Sequence, residues 1–190
     1  MPDSLKLLEA VGGDVSEVER LLDGGCDPNI ANPRYGNTPL YNACFSNRPD
    51  VVRLLISKGA NPNQRITYRS PVDGRVEEGI VALMLAQSAE VITALLGAGA
   101  DPNLTDEVGN TPLMRCVLIA PPEAIELLLQ AGADAAAQNG DGLSAADVVR
   151  KRLEWLENSG ADLRMPTPRK RKQSLESILA MLEGWTRPIS

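Results

Sequence analysis

The sequence predicts an all-α stacked-repeat solenoid, and three observations carry that reading. A line recurs four times, as RLLDGGCDPN, LLISKGANPN, ALLGAGADPN and LLLQAGADAA, with glycines Gly25, Gly59, Gly99 and Gly132 spaced by 34, 40 and 33 residues. Self-similarity near that period marks repeat architectures, in which each unit buries its apolar face against the next. A second line, GNTPLYNAC from Gly36 and GNTPLMRC from Gly109, precedes two of those glycines, with weaker copies in GIVALMLA from Gly79 and GLSAADVV from Gly142. The residues at the ends of both lines are those that start and stop helices.

In chain order, the first unit, DSLKLLEAVGGDVSEVERLLDGG, lacks the T-P-L opening and reads as an N-terminal cap. In units two and four, Thr38 and Thr111 supply a capping hydroxyl. Pro39 and Pro112 take the first helical position, where a missing N–H costs nothing. The glycine after each Leu-Leu pair suits the left-handed C-terminal cap of a second helix, and the Asp/Asn-Pro-Asn that follows is turn chemistry. One unit is therefore helix, turn, helix and a short hairpin-like finger. Unit three is about three residues short around Gln87-Ser88-Ala89, and unit five begins at Gly142 and then departs from the pattern. In the tail, SLESILAMLEGW places Leu175, Ile178, Leu179 and Leu182 at helical spacing, so a C-terminal cap helix is expected to close the stack.

These residues resemble the ankyrin repeat family, whose unit opens G-x-T-P-L-H-x-A and closes L-L-x-x-G-A-D-x-N. The resemblance runs over roughly residues 4–150. It implies an ankyrin-repeat solenoid of about five units, near residues 4–35, 36–78, 79–108, 109–141 and 142–190, with β-hairpin fingers, in one domain spanning 1–190. Tyr41 and Met114 stand where the family usually has His, and the chain contains no histidine.

Charge divides the chain. Residues 1–163 carry 23 acidic and 13 basic side chains, a net of −10, whereas the tail from Arg164 has six basic and two acidic. An acidic body repels nucleic-acid phosphate and steers a basic protein; it equally keeps a protein soluble. The cluster PRKRK (Arg169, Lys170, Arg171, Lys172) follows Pro166 and Pro168 and reads as a solvated loop, with a nuclear import signal or a phosphate contact as the alternatives. Arg150, Lys151 and Arg152 lie beside Trp155, so the two basic runs, 150–152 and 169–172, are expected to form a patch beside that aromatic. Cys26, Cys44 and Cys116 lack C-x-x-C spacing and read as small core fillers. There is no apolar run near 18 residues and no charged-then-apolar leader, so no membrane span is expected and the cytoplasm is the expected address.

The candidate binding residues fall in two regions. Gly59 and Gly79 are 20 residues apart where matching intervals are 10 or 11, so one finger is enlarged. Arg65 to Tyr68 have strand character, Ser70-Pro71-Val72-Asp73-Gly74 is a turn, and Arg75-Val76-Glu77 returns. This finger is expected to present Tyr68 with Arg65, Arg69 and Arg75 near its tip, residue types over-represented in interface hot spots. Tyr35, in the preceding finger, joins that set. On the first helices, the positions that the family turns toward its groove are Phe45 and Ser46 in unit two and Leu118 and Ile119 in unit four, with Arg115 either facing the groove or pairing with a nearby carboxylate. Apolar residues on such a face mark an interaction surface.

Catalysis has little support. Histidine is absent, no glycine loop precedes a helix to cradle phosphate, and the pairs Glu77-Glu78 and Asp106-Glu107 read as solvated turn residues. No catalytic, cofactor or metal residues are expected. The sequence reads as a monomeric module that binds another protein, possible roles being an inhibitor or immunity protein against a basic toxin or enzyme, an adaptor joining two partners, or a regulator using its basic tail.

Overall fold

The computed structural model describes residues 2–159 and 168–185, with side chains over 5–158 and 170–185. Its helices are α1 Pro2–Ala10, α2 Val15–Asp23, α3 Pro39–Phe45, α4 Pro49–Ser57, α5 Ala89–Gly97, α6 Pro112–Cys116, α7 Pro122–Gln130, α8 Ala145–Ser159 and α9 Pro168–Gly184. They stack in two rows. The inner row runs α1, α3, a 3-10 turn at Ala82–Leu85, α6 and α8, and the outer row runs α2, α4, α5, α7 and α9, each element touching the next in its row. One cluster of buried side chains runs from Leu7 to Leu182 between the rows, and Cys44 and Cys116 are fully buried in it.

Helix ends obey local chemistry. Thr38 and Thr111 accept from the amides of Tyr41 and Met114, with proline at the first helical position in each case. The 3-10 turn stands where unit three would carry a longer helix, because Ile80 belongs to a strand and Ser88 already caps α5. Each outer helix from α2 to α7 ends alike: the residue after the glycine donates back to a leucine carbonyl, Cys26 to Leu21, Ala60 to Leu55, Ala100 to Leu95 and Ala133 to Leu128, at 2.9–3.1 Å. The glycines sit at φ 82–91°, the left-handed conformation that this 6→1 bond requires.

The turn that follows also couples the units. Asn29 donates to Gly59 O at 3.0 Å and accepts from Asn61 N at 2.7 Å; Asn63 does the same to Gly99 and Asp101, and Asn103 to Gly132 and Asp134. One asparagine per junction thus ties two backbone groups of the next unit.

The enlarged finger is an antiparallel hairpin of β1 (Ile66–Arg69) and β2 (Val76–Ile80), pairing Tyr68 with Glu77 and Arg69 with Val76. A small core of Tyr41, Ile66, Ile80, Val81 and Met84 fixes its base on the inner row. Neighbouring fingers add single backbone bonds: Arg69 N to Tyr35 O at 2.8 Å, Glu107 N to Glu78 O at 3.1 Å and Gly140 N to Val108 O at 2.7 Å. The shorter fingers each close by a backbone bond, as in Asp106 N to Asn110 O at 3.1 Å.

One expectation for the tail is corrected and another holds in part. PRKRK is the start of α9, not a loop, because Pro168 occupies an N-terminal helical position, where proline is favoured. Arg171 reaches Leu118 O at 2.6 Å and Lys172 pairs with Glu157 at 2.8 Å. Of the expected basic patch beside Trp155, Arg152 does lie over the ring, at 4.3 Å, while Arg150 pairs with Asp147 and Glu183. Pro166, Arg164 and the Arg169 side chain lie outside the described residues. The cap helix itself forms as read: Leu175, Ile178 and Leu182 are buried, and α9 packs on α7 and α8 as the outer partner of α8.

Candidate protein-binding groove

A groove of about 860 Å³ lies between β2, the finger at Asp106–Val108 and the inner row. Met84, Leu85, Met114 and Leu118 come from the inner row; Val76, Glu77 and Glu78 come from β2; Glu107 and Val108 come from the next finger. Seven large apolar side chains are exposed among the described residues, and four of them line this groove: Phe45 at 62%, Val108 at 53%, Ile119 at 45% and Val76 at 40%. Exposed apolar side chains are ordinary singly; their convergence in one concavity is what marks a binding surface.

The charged centre of the groove is built by Arg115. Its guanidinium meets Asp106 Oδ2 at 2.6 Å and Glu77 Oε2 at 2.8 Å. Asp106 is a turn residue that folds its carboxylate inward, accepting from the amides of Val108 and Asn110 and from the Asn110 side chain at 2.8–3.1 Å. Burial alone would raise its pKa, and the hydrogen bonds from Arg115 and Asn110 outweigh it, so the carboxyl lies below its ordinary range. Asp106 is therefore not the solvated turn acid expected: its residue is 4% exposed. Arg115 resolves to the carboxylate-paired alternative while still lining the groove. Burial opposes its charge, and its two acidic partners hold its pKa above the usual guanidinium value.

The other candidates divide. Phe45, Arg75, Leu118 and Ile119 line the groove with Arg115. Tyr35 and Tyr68 instead line an adjoining recess that shares Phe45. Tyr68 is not at the finger tip: its ring stacks on Tyr41, centroids 4.9 Å apart, because an inward-facing strand position half-buries it. Arg65 lies at the hairpin base with its guanidinium beside Gly79, since it precedes the first paired residue, Ile66. Arg69 and Ser46 are exposed outside both cavities, and Ser46 caps α3.

Sequence reasoning missed Val76, Val108, Met84, Met114 and the identity of Glu77 and Asp106 as the two carboxylates that Arg115 meets. One signal was available in the repeats. Asn32, Asp106 and Asn139 all cap their turns through a side-chain oxygen, and only the unit with the charged version carries arginine at the fourth position of its inner helix, where unit five has Val148. In unit two the matching residue is Asn42, bonded to Asn37 and to Leu8 O.

Buried thiols complete the chemistry. Burial drives the Cys44 pKa far up and pushes that of Cys116 up to about 12, so neither is a nucleophile at neutral pH.

Residues 7–66 match the family described as ankyrin repeats in three copies, and residues 108–140 match the single ankyrin repeat. The chain is an ankyrin-repeat protein. Among curated relatives, the human ankyrin repeat and SOCS box protein 6 is 36% identical over 130 residues, 64% of this chain and 29% of that protein. Human SH3 and multiple ankyrin repeat domains protein 1 is 37% identical over 130 residues, 65% of this chain and 6% of that protein. Mouse 2-5A-dependent ribonuclease is 45% identical over 64 residues, 33% of this chain and 9% of its own length. The chain thus spans less than a third of each of these ankyrin-repeat relatives. Ankyrin repeats are in general non-catalytic modules that bind other proteins.

Proposed function

We propose that this ankyrin-repeat chain acts as a monomeric, non-catalytic inhibitor that binds one basic protein in the groove between β2 and the inner row. The observation that carries this reading is the convergence of Phe45, Val76, Val108 and Ile119 on one concavity. Charge supports the choice of partner. Glu77, Asp106 and Arg115 largely satisfy one another, leaving Glu78 and Glu107 against Arg75, on a body whose first 163 residues carry a net of −10. Such a field raises the association rate of a basic protein and selects against acidic ones, while the apolar contacts hold the complex. A standard interface would cover roughly 800 Å² of each partner. A cytoplasmic address suits a chain whose three cysteines carry free thiols.

The test is capture from native cells by three forms of the chain: wild type, Val108→Glu with Ile119→Glu, and Glu126→Lys on the outer face of α7. A single basic protein held by wild type and by the α7 variant, lost with the groove variant, and losing its own activity when bound supports the inhibitor reading. Retention by the groove variant overturns it. Two proteins held at once by separable surfaces would make the chain an adaptor.

A further inference from the structure

The chain has three tyrosines and one phenylalanine, and all four line a single recess of about 180 Å³. The rings come from separate places: Tyr35 from the first finger, Tyr41 and Phe45 from one face of α3, and Tyr68 from β1. Tyr41 is the hub, stacked on Tyr68 at 4.9 Å and parallel within 6° to Phe45 at 6.3 Å. Tyr41 is almost wholly covered, whereas Phe45 leaves 62% of its surface exposed and so offers a π face to an incoming group. The volume has room for one side chain.

Three features of the lining select the chemistry of that side chain. Aromatic faces carry negative potential and attract cations, and the chain's own Arg34 already sits 5.2 Å over the Tyr35 ring. No basic side chain lines the recess, in a body of net charge −10 over residues 1–163. Asn37, which also lines it, has a buried Oδ1 without a hydrogen-bond partner among the described residues. The orientation of that amide is set by the chain itself: Asn37 Nδ2 donates to Asn42 Oδ1 at 2.7 Å, and Asn42 Nδ2 donates to Leu8 O at 3.2 Å. The recess therefore offers π faces, and Asn37 in its wall holds a covered acceptor in need of a donor. A proline ring has no N–H to give and an aliphatic side chain has neither donor nor charge, whereas lysine and arginine bring both.

We propose that this recess is a pocket for a cationic side chain, lysine or arginine, of the protein held in the adjoining groove. Phe45 forms the shared wall, so a segment lying in the groove has the recess beside it. The source of the side chain rests on the groove reading; the pocket's chemistry does not.

The experiment is an NMR titration of the whole chain with N-acetyl methylamides of lysine, arginine, norleucine and proline. The expected result is saturable shifts of the Asn37 and Asn42 side-chain amides with the lysine or arginine probe, and none with norleucine or proline. Phe45→Leu, a change at an exposed side chain, should weaken the cationic probe by about two- to fivefold, the size of one cation–π contact. Norleucine binding as well as lysine, or no saturable shift with either cation, overturns the proposal. If the cation probes fail while groove substitutions still abolish partner capture, only the pocket assignment falls. If the probes bind while capture ignores the groove, the pocket stands and the groove reading falls.

Discussion

Arg115 lies 2.6 Å from Asp106, and the same guanidinium reaches Glu77 at 2.8 Å, so one side chain of α6 joins two successive fingers. The pair is asymmetric, for the Asp106 side chain is 1% exposed and that of Arg115 is 27% exposed. Asp106→Asn should therefore cost about 1–3 kcal/mol at neutral pH, since a buried charge-assisted hydrogen bond is lost. The pH dependence has a definite sign. A depressed carboxyl pKa contributes stability that is complete above the unfolded-state value and is lost as pH falls through the folded-state value. Urea unfolding at neutral pH and again below about pH 4 should show the gap between wild type and Asp106→Asn narrowing in acid. A constant gap would mean that the carboxylate charge contributes nothing.

Gly36 sits at φ 76°, and a Cβ there would come 1.8 Å from Thr67 O. The contact is backbone on backbone, so no side-chain rotation relieves it. Gly36→Ala should separate the first finger from β1 and lower stability by about 1–3 kcal/mol, within the range of strained backbone substitutions. Hydrogen exchange supplies the specific readout: the Arg69 amide, which donates to Tyr35 O, should lose protection more than amides of α7.

Phe45 and Tyr68 should respond differently to truncation. Phe45 is 62% exposed, so Phe45→Ala should leave thermal unfolding within about 0.5 kcal/mol of wild type. Tyr68 stacks on Tyr41 above the small core of the hairpin, and Tyr68→Ala should cost about 1–2 kcal/mol from lost stacking and burial. Differential scanning calorimetry on both variants decides whether binding defects at these two positions can be read as surface effects.

The asparagine junctions should be cooperative elements. Asn63 satisfies Gly99 O and Asp101 N, so Asn63→Ala hands two exposed backbone groups over to water and should cost about 0.5–1.5 kcal/mol. Because stability in a stacked array is a sum of unit and junction contributions, weakening this one should also lower the urea m-value as the two halves begin to unfold separately. An unchanged m-value would show that the buried core alone couples them.

What was legible in the sequence follows from the range of the interactions involved. Thr38, Pro39, the glycine turns and the alternating β1 and β2 act within a few residues, and local rules recovered them. Asp106 was misread because its burial depends on Arg115 and on the neighbouring hairpin's Glu77, which lies 38 residues from Arg115 in the chain. Tyr68 was assigned to the finger tip for the same reason: strand alternation alone does not say that Tyr41 waits beneath one face. The tail was misread locally. Pro168 counted as a break, although the same proline starts a helix well, and Glu157, which meets Lys172 at 2.8 Å, lies on a different helix.

The asparagines that fasten one unit to the next share no atoms with the four apolar side chains that face the groove. Phe45, Val76, Val108 and Ile119 supply no side-chain hydrogen bond to any junction, and Asn29, Asn63 and Asn103 line none of the groove. The asparagine junctions and the apolar contacts of the groove are thus written in separate alphabets, whereas Arg115 with Glu77 and Asp106 belongs to both frame and groove. On the proposed groove reading, exchanging the apolar quartet would redirect the scaffold to a new protein while leaving the asparagine junctions untouched, so divergence of specificity can outpace divergence of architecture.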